Sequence, residues 1–417
     1  LNKAIVTGTS MLTAGGIGNE QAWNAVLQEK EVMSHRPYQI GFDETDQFPC
    51  FQIGELDLSQ WFEPHILERV EEWGLLHDCD FQYLLASIHM ALEDAKLNLT
   101  KESTVSIIIG HENLGMVKYV ERLTEDINSA QHRENKTFIR AYDEYVDQLY
   151  QLQTFPYLFY LAHIFDIHGH NYVTNNACAS GLYALELGRQ LIASNTTDVA
   201  IVACSDYAHV SEHLWLQERG AMSHIGEIKP FDLERSGSVL GDGAGAIILE
   251  SHAHAERRQA EPYCEYAGGS FSQDTWHMTL PDVSKHLYSK VMTDAVQRFA
   301  DANIDLIVPH GTGSPMWDLY EAKEIHSVFQ GQHIPDVTAF KGYTGHTLGA
   351  CNMIETILLI HAMKSGIVPK TLFSNNSDPK LNLPIVTATK EKKVKTAMKA
   401  VPAFAGFQAA GIFKSCT

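Results

Sequence analysis

The chain has 417 residues, with 31 basic against 51 acidic side chains and a formal net charge of −20 when histidine is counted neutral. Apolar residues make up 45% and charged residues 20%, a globular composition that excludes a disordered, collagen-like or coiled-coil chain. So acidic a chain repels phosphates and anionic lipid, and with no basic patch in view it excludes nucleic acid and the membrane surface as partners.

In chain order, residues 3–6 predict a strand running into Gly8 and lack the basic, apolar and small-residue pattern of a secretion signal, so a cytoplasmic protein is expected. A helix is predicted over 83–95 and a strand over 105–109. Residues 117–148 are dense in charge and interleaved with Tyr119, Phe138, Tyr142 and Tyr145, which predicts an excursion from the core. Residues 155–165, the longest nearly apolar stretch, hold a proline and a histidine and fall short of the ~20 residues that a membrane span needs. A strand over 172–175, a helix over 182–194 and strands over 199–203 and 244–249 follow. The polar stretch 250–262 predicts a junction, dividing the chain into 1–252 and 253–417. Beyond it come a helix (285–300), a strand (304–308), a helix (319–329), a strand (337–340), a helix (353–364) and a strand (409–413). This alternation is that of an α/β protein whose sheets are covered by helices. No internal repeat is visible in the residues themselves.

Seven cysteines, odd in number and scattered without a C-x-x-C, argue against disulfides or structural zinc. Cys178 stands apart. The run Asn175-Asn176-Ala177-Cys178-Ala179-Ser180-Gly181 lies between a predicted strand and a strongly periodic helix, so a turn with small neighbours would present the thiol. The positive end of the helix dipole is expected to favour its thiolate. Two further strand-to-helix loops carry chemistry: His310-Gly311-Thr312-Gly313-Ser314, followed by Asp318 and Glu321, and Lys341-Gly342-Tyr343-Thr344-Gly345-His346, with Glu355 a turn into the next helix. Neither glycine run has P-loop spacing, and His163, His168 and His170 lack the spacing of a zinc site, so no metal is expected.

Together these segments resemble the active site of the β-ketoacyl-acyl-carrier-protein synthases, condensing enzymes of the thiolase superfamily. The resemblance extends over Ala4-Ile5-Val6-Thr7-Gly8, Pro230-Phe231-Asp232-Leu233-Glu234-Arg235-Ser236-Gly237, Gly241-Asp242-Gly243-Ala244-Gly245, the stretch Asp274 to Thr279, and Phe404-Ala405-Gly406-Phe407-Gln408. It implies a thiolase-like α/β fold of two similar halves in an α-β-α-β-α layering, the first half (1–252) bearing the nucleophile and the second (253–417) the histidines. It also implies that Cys178 accepts the acyl group, and that His310 and His346 drive decarboxylation of a malonyl extender. By the same resemblance Lys341 supplies positive charge near His346 with Glu355 as its partner, Asp318 organises its loop, and the amides of Cys178 and Phe404 form the oxyanion hole. Thr279, Thr312 and Ser314 would hold the phosphopantetheine arm of an acyl carrier protein, the substrate being carried there with no further cofactor.

Departures from the family pattern bear on substrate and partner. The run Gly110-His111-Glu112-Asn113-Leu114-Gly115 puts polar side chains where relatives have a small or apolar pocket wall, and Asn113 is expected to select a polar or unsaturated acyl chain. Phe404-Ala405-Gly406-Phe407-Gln408 resembles the ending of polyketide condensing subunits. The acidic run Glu68-Arg69-Val70-Glu71-Glu72-Trp73, with Asp80 beyond it, replaces the basic cluster on which an acidic carrier docks in relatives. The resemblance further implies a dimer, either of identical chains or with a ketosynthase-like chain-length partner. Decarboxylation alone, or acyl transfer alone, is the alternative to condensation. A cysteine hydrolase is disfavoured, because it would need one histidine with a carboxylate or amide and no Lys341–His346 loop.

Overall fold

The computed structural model describes residues 2–39, 44–99, 103–112, 153–301 and 303–416. Asn113 and the whole of 117–148 lie outside the described residues. We label ten strands: β1 Ala4–Thr13, β2 Val105–Gly110, β3 Tyr172–Thr174, β4 Val199–Asp206, β5 Gly243–Ser251, β6 Cys264–Gln273, β7 Leu306–Val308, β8 Asp336–Val337, β9 Thr396–Pro402 and β10 Phe407–Lys414. Five helices matter most: α1 Cys79–Asp94, α2 Ser180–Ala193, α3 Leu287–Phe299, α4 Pro315–Val328 and α5 Cys351–Ser365.

The strands lie in the spatial order β8-β7-β9-β10-β6-β1-β5-β4-β2-β3. Read outward from the centre, each half has the same topology. In the first half β1 pairs antiparallel with β5, β5 antiparallel with β4, β4 parallel with β2, and β2 parallel with β3. In the second half β6, β10, β9, β7 and β8 repeat those four pairings in the same senses. Even the irregularities match: β1 bulges between Val6 and Gly8, and β6 between Tyr266 and Gly268. At both bulges the glycine leaves room for a covering helix, since a Cβ on Gly8 would meet Ala91 O at 2.5 Å and one on Gly268 the Phe299 ring at 2.7 Å. The repeat absent from the residues is therefore present in the topology. Each half needs only the same burial pattern, and many apolar sequences satisfy one pattern.

The alternation of side chains along the strands sets the layers. Ile107, Ile109, Val199, Ile201 and Ile248 point to one core shared with α1, while Ile108, Ala200, Val202 and Leu249 point to another shared with α2 and α5. In the second half Ile307, Met398, Ala400 and Ile412 face α3 and α4, and Leu306, Val308, Ala397 and Phe413 face the α2–α5 core. The result is α-β-α-β-α, with α2 and α5 buried between the two sheet halves. Both central helices are buried along most of their length, and the polar groups they carry there are paired, Glu186 with Arg189 and Glu355 with Lys341.

The halves meet along a short seam in which Ala4, Ile5 and Val6 face Tyr266, Glu265 and Cys264. Residues 250–262, expected as the junction between the halves, finish β5 and form a helix, His252–Arg257, before β6 begins. Strands β6 and β9 were not expected from the sequence; small and charged residues such as Gly268, Gly269 and Lys399 interrupt their apolar pattern. Among the described residues no helix is long and apolar enough to cross a membrane.

Candidate active site

The parallel strands β2, β3, β7 and β8 deliver four loops to one place, the arrangement by which α/β sheets make sites beyond strand C-termini. The loop after β2 carries His111 and Glu112, and the loop from β3 into α2 carries Cys178. The loop after β7 carries His310, and the loop from β8 into α5 carries Lys341 and His346. The repeat thus makes the Cys178 loop the counterpart of the Lys341–His346 loop.

Cys178 is buried, and the residue before it, Ala177, has a left-handed backbone (φ 50°) that turns the chain. The Ser180 hydroxyl accepts the Asn176 N–H (2.9 Å) and donates to Ala177 O (2.7 Å), pinning the turn. Gly181 lets α2 abut α5, since a Cβ there would lie 2.7 Å from Met353 N. Asn352, fully buried at the start of α5, donates to the Cys178 carbonyl. The expected thiolate is not what these surroundings favour. Burial first, then Glu112 and Cys351, hold the Cys178 thiol well above its ordinary pKa, against a smaller opposing effect of Lys341. The helix end is too weak to offset that desolvation.

His310 and His346 are buried with ring centroids 5.2 Å apart and planes nearly perpendicular. The Cys178 Sγ and one ring nitrogen of each histidine lie within 4.8 Å of one another. Both imidazoles are neutral and of one tautomer. Burial, and after it the Lys341 charge, hold both well below the usual histidine pKa. Lys341 Nζ donates to His310 Nδ1 (3.1 Å), and Leu348 N–H donates to His346 Nδ1 (3.0 Å). Each Nδ1 is therefore an acceptor, and each Nε2 carries the hydrogen.

Lys341 was expected beside His346; its direct partner is His310, whose carbonyl it also holds at 2.8 Å. It makes an ion pair with Glu355, which in turn meets Lys399 Nζ at 2.8 Å. Burial works against charge on Lys341, but Glu355 outweighs it and raises its pKa, whereas burial wins at Lys399 and lowers it. The mid-strand Lys399 carried no signal in the sequence beyond being a charge in an apolar run.

The motifs around these loops act as clamps. Glu321 accepts the N–H groups of His310 (2.8 Å) and Gly311 (2.6 Å), and Asp318 accepts those of Phe231 (2.7 Å) and Gly313 (3.1 Å). His346 is held through its backbone between Val239 O (2.7 Å) and Gly241 N (3.1 Å). The segments Pro230–Gly237 and Gly241–Gly245 thus position the two histidine loops without touching the reacting groups.

A cavity of about 540 Å³ opens here, lined by Glu112, Cys178, His310, Thr312, Ser314, His346 and Phe404, with Trp215, Leu216, Met222, Leu240 and Leu348 supplying apolar wall. Thr279 is not among its lining residues; its N–H is spent on His277 Nδ1 at 3.1 Å. Glu112 presents a carboxyl whose Oε2 lies 4.0 Å from Cys178 Sγ, and burial pushes its pKa up to about 7. His111 turns away, buried between Asp80 (3.8 Å) and Asp206 (3.7 Å). His163 and His168 take Arg69 (2.9 Å) and Asp166 (2.8 Å) as partners.

A two-repeat sheet that brings a thiol from one half against two Nε2–H imidazoles from the other defines a thiolase-like acyl-transferring centre. Residues 2–255 match the β-ketoacyl synthase N-terminal domain and residues 263–374 its C-terminal domain, so the chain belongs to the β-ketoacyl synthase family. Among similar proteins, a 3-oxoacyl-[acyl-carrier-protein] synthase 2 of Coxiella burnetii is 26% identical over 417 residues, covering 97% of this chain and 96% of that one. The mitochondrial 3-oxoacyl-[acyl-carrier-protein] synthase of Arabidopsis thaliana is 33% identical over 261 residues, 59% of this chain and 57% of the relative. In fold the chain is similar to the ishigamide ketosynthase/chain length factor (TM-score 0.84, 23% identity, all of both chains). It is similar also to a β-ketoacyl synthase from Burkholderia phymatum STM815 (TM-score 0.82, 20% identity, all of both chains).

Proposed function

We propose that the protein is a 3-oxoacyl-acyl-carrier-protein synthase, acting in the cytoplasm, that loads an acyl group onto Cys178 and extends it by decarboxylative Claisen condensation with a malonyl thioester. The observation that carries the reading is the pair of neutral imidazoles, both in the Nε2–H tautomer, facing the thiol across one cavity. Loss of carbon dioxide from a malonyl thioester leaves an enolate, whose oxygen two N–H donors stabilise without giving up a full proton. The enolate carbon then attacks the Cys178 thioester, the C–C bond forms, the S–C bond to Cys178 breaks and the cysteine leaves as a thiolate. The amides of Cys178 and Phe404 would hold the oxyanion of that step. Lys341 fixes the tautomer of His310 and, with Glu355, keeps a positive charge beside it.

Thr312 and Ser314 line the cavity and suit the amides of a phosphopantetheine arm, with Thr279 as the further hydroxyl proposed for it. Polyketide or specialised fatty-acid synthesis is the setting proposed, because of the Phe404–Gln408 ending and the carboxyl of Glu112 in the pocket wall. We take the working unit to be a dimer, of two such chains or with a ketosynthase-like partner. The strand leading to Cys178, β3, is the outer edge of the described sheet, and its Tyr172 is exposed. An acyl carrier protein is the delivery partner. The test is intact-mass analysis after incubation with acyl- and malonyl-carrier proteins. An acyl adduct on Cys178 that disappears into a two-carbon-longer product supports condensation. Carbon dioxide release with no elongated product would replace the reading with decarboxylation alone.

A further inference from the structure

Of the four loops that build the site, the one after β2 has no part in the chemistry above, yet it places Glu112 against the nucleophile. Its backbone is fixed there: Asn175 donates to Glu112 O at 2.9 Å, and Gly349 leaves the space that Glu112 fills, since a Cβ on Gly349 would lie 2.9 Å from Glu112 N. Among the described residues no hydrogen bond reaches the Glu112 carboxylate except from the Cys178 thiol, 4.0 Å away.

Loading a thiol requires its proton to leave. The histidines cannot take it, because the nitrogen each turns to the cavity already bears hydrogen, and Lys341 is an ammonium held by Glu355. The buried thiol does not ionise readily by itself. Resting on the assignment of Cys178 as the acyl acceptor, we propose that Glu112 is the general base for that step: its carboxylate takes the thiol proton as sulfur attacks the acyl thioester. The S–C bond to the carbonyl carbon forms, the bond to the carrier's sulfur breaks, and the departing thiolate recovers the proton from the Glu112 carboxyl. The exchange is balanced and leaves Glu112 ionised. A carboxyl poised near 7 is matched to proton transfer at neutral pH, and apo donor–acceptor distances in such pairs tighten when substrate binds. Among the described residues the groups facing Glu112 are Cys178, His310, His346 and Cys351 around the cavity, Asp206 behind Gly349, and Glu212 across the wall, and none of them is a cation that would pull its proton off early.

The charge of Glu112 can act in two opposite ways, and the sign separates them. A base speeds attack by the thiol, whereas a bystander anion only repels the forming thiolate. Alkylation of Cys178 by iodoacetamide and its acylation by the N-acetylcysteamine thioester of hexanoic acid are followed by intact mass between pH 5.5 and 8.5, in the wild type, E112Q and E112D. The expected result is a rate that rises through an inflection near 7, falls at least about tenfold at pH 7 in E112Q, and keeps its inflection in E112D. Unchanged or faster labelling of Cys178 in E112Q overturns the proposal. So does a wild-type profile without an inflection near 7, which decides the matter should E112Q fail to fold by circular dichroism. Hexanoyl adducts that persist in C178A are a different outcome, removing the acyl-acceptor assignment together with this inference.

Discussion

At the scale of single residues the site is a set of buried groups whose protonation is set first by the loss of water and then by their neighbours. His310 and His346 have depressed pKa values, so the unfolded chain binds protons below the ordinary histidine pKa of 6.5 that the folded chain refuses. Their contribution to stability is present above that pH and is lost as pH falls through it. Glu112 and Asp318 have the opposite sign: both are raised to about 7, so their neutral forms favour folding at low pH and that advantage disappears as pH rises through 7. Replacing Glu112 with Gln should therefore raise the melting temperature relative to the wild type at pH 8 and leave the difference smaller at pH 5. Thermal unfolding at the two pH values checks this, and a larger gain at pH 5 would contradict it. For the histidines, H310A or H346A should slow malonyl decarboxylation by about 100-fold or more, the scale of a lost oxyanion donor, while acylation of Cys178 persists. Carbon dioxide release and intact mass, measured on the same samples, separate the two steps. K341M leaves Glu355 with Lys399 alone and His310 without its donor; decarboxylation should fall, and K341M/E355L, which also strips the buried Lys399 of its counterion, should lose further stability without recovering rate.

At the scale of elements, the reach of the sequence differs from place to place for physical reasons. Periodic apolar residues made the central helices legible: α2 was expected over 182–194 and runs Ser180–Ala193, and α5 was expected over 353–364 and runs Cys351–Ser365. The loops bearing Cys178, His310 and His346 were legible through their glycines and through family resemblance. Lys399 was not, because a lysine inside a strand declares itself only when the fold surrounds it with carbonyls and Glu355. Asn113, on which the sequence reading centred the polar pocket wall, lies outside the described residues, and its neighbour Glu112 lines the cavity. The helical crossing of α2 and α5 depends on Gly181, where an added methyl would press on the Met353 backbone. G181A should destabilise the protein by about 1–3 kcal/mol, the usual cost of overpacking, and reduce acyl loading by shifting the Cys178 turn. Denaturant unfolding and intact mass would show it, and wild-type values for both would mean that the helices have slack.

At the scale of the molecule, the candidate site is shared between the two halves. One repeat contributes Cys178 and Glu112, the other His310, Lys341 and His346, so an isolated half would hold reactive groups without their complements. The strand β3, at the edge of the described sheet, offers unpaired backbone to a partner. Light scattering at micromolar concentration should give twice the mass of the chain, or that of a heterodimer when the partner is supplied, and a monomer at that concentration would remove the dimer from the proposal.

The strand order also fixes a timetable. Strand β10 lies between β9 and β6 in the interior of the second half, although its residues, 407–414, follow nearly all the others along the chain. During synthesis the thiol emerges first, its proton donors more than a hundred residues later, and Phe404 with the strand that closes the sheet later still. A nascent chain therefore carries Cys178 for a long interval before anything can use it, and β6 waits with one edge unpaired until β10 arrives. Pairings so distant in sequence form slowly. Cys178 packs against Cys351, Val401, Ala403 and Ala409, all of the second half, so the burial that restrains its thiol is itself completed only when the rest of the chain has been made.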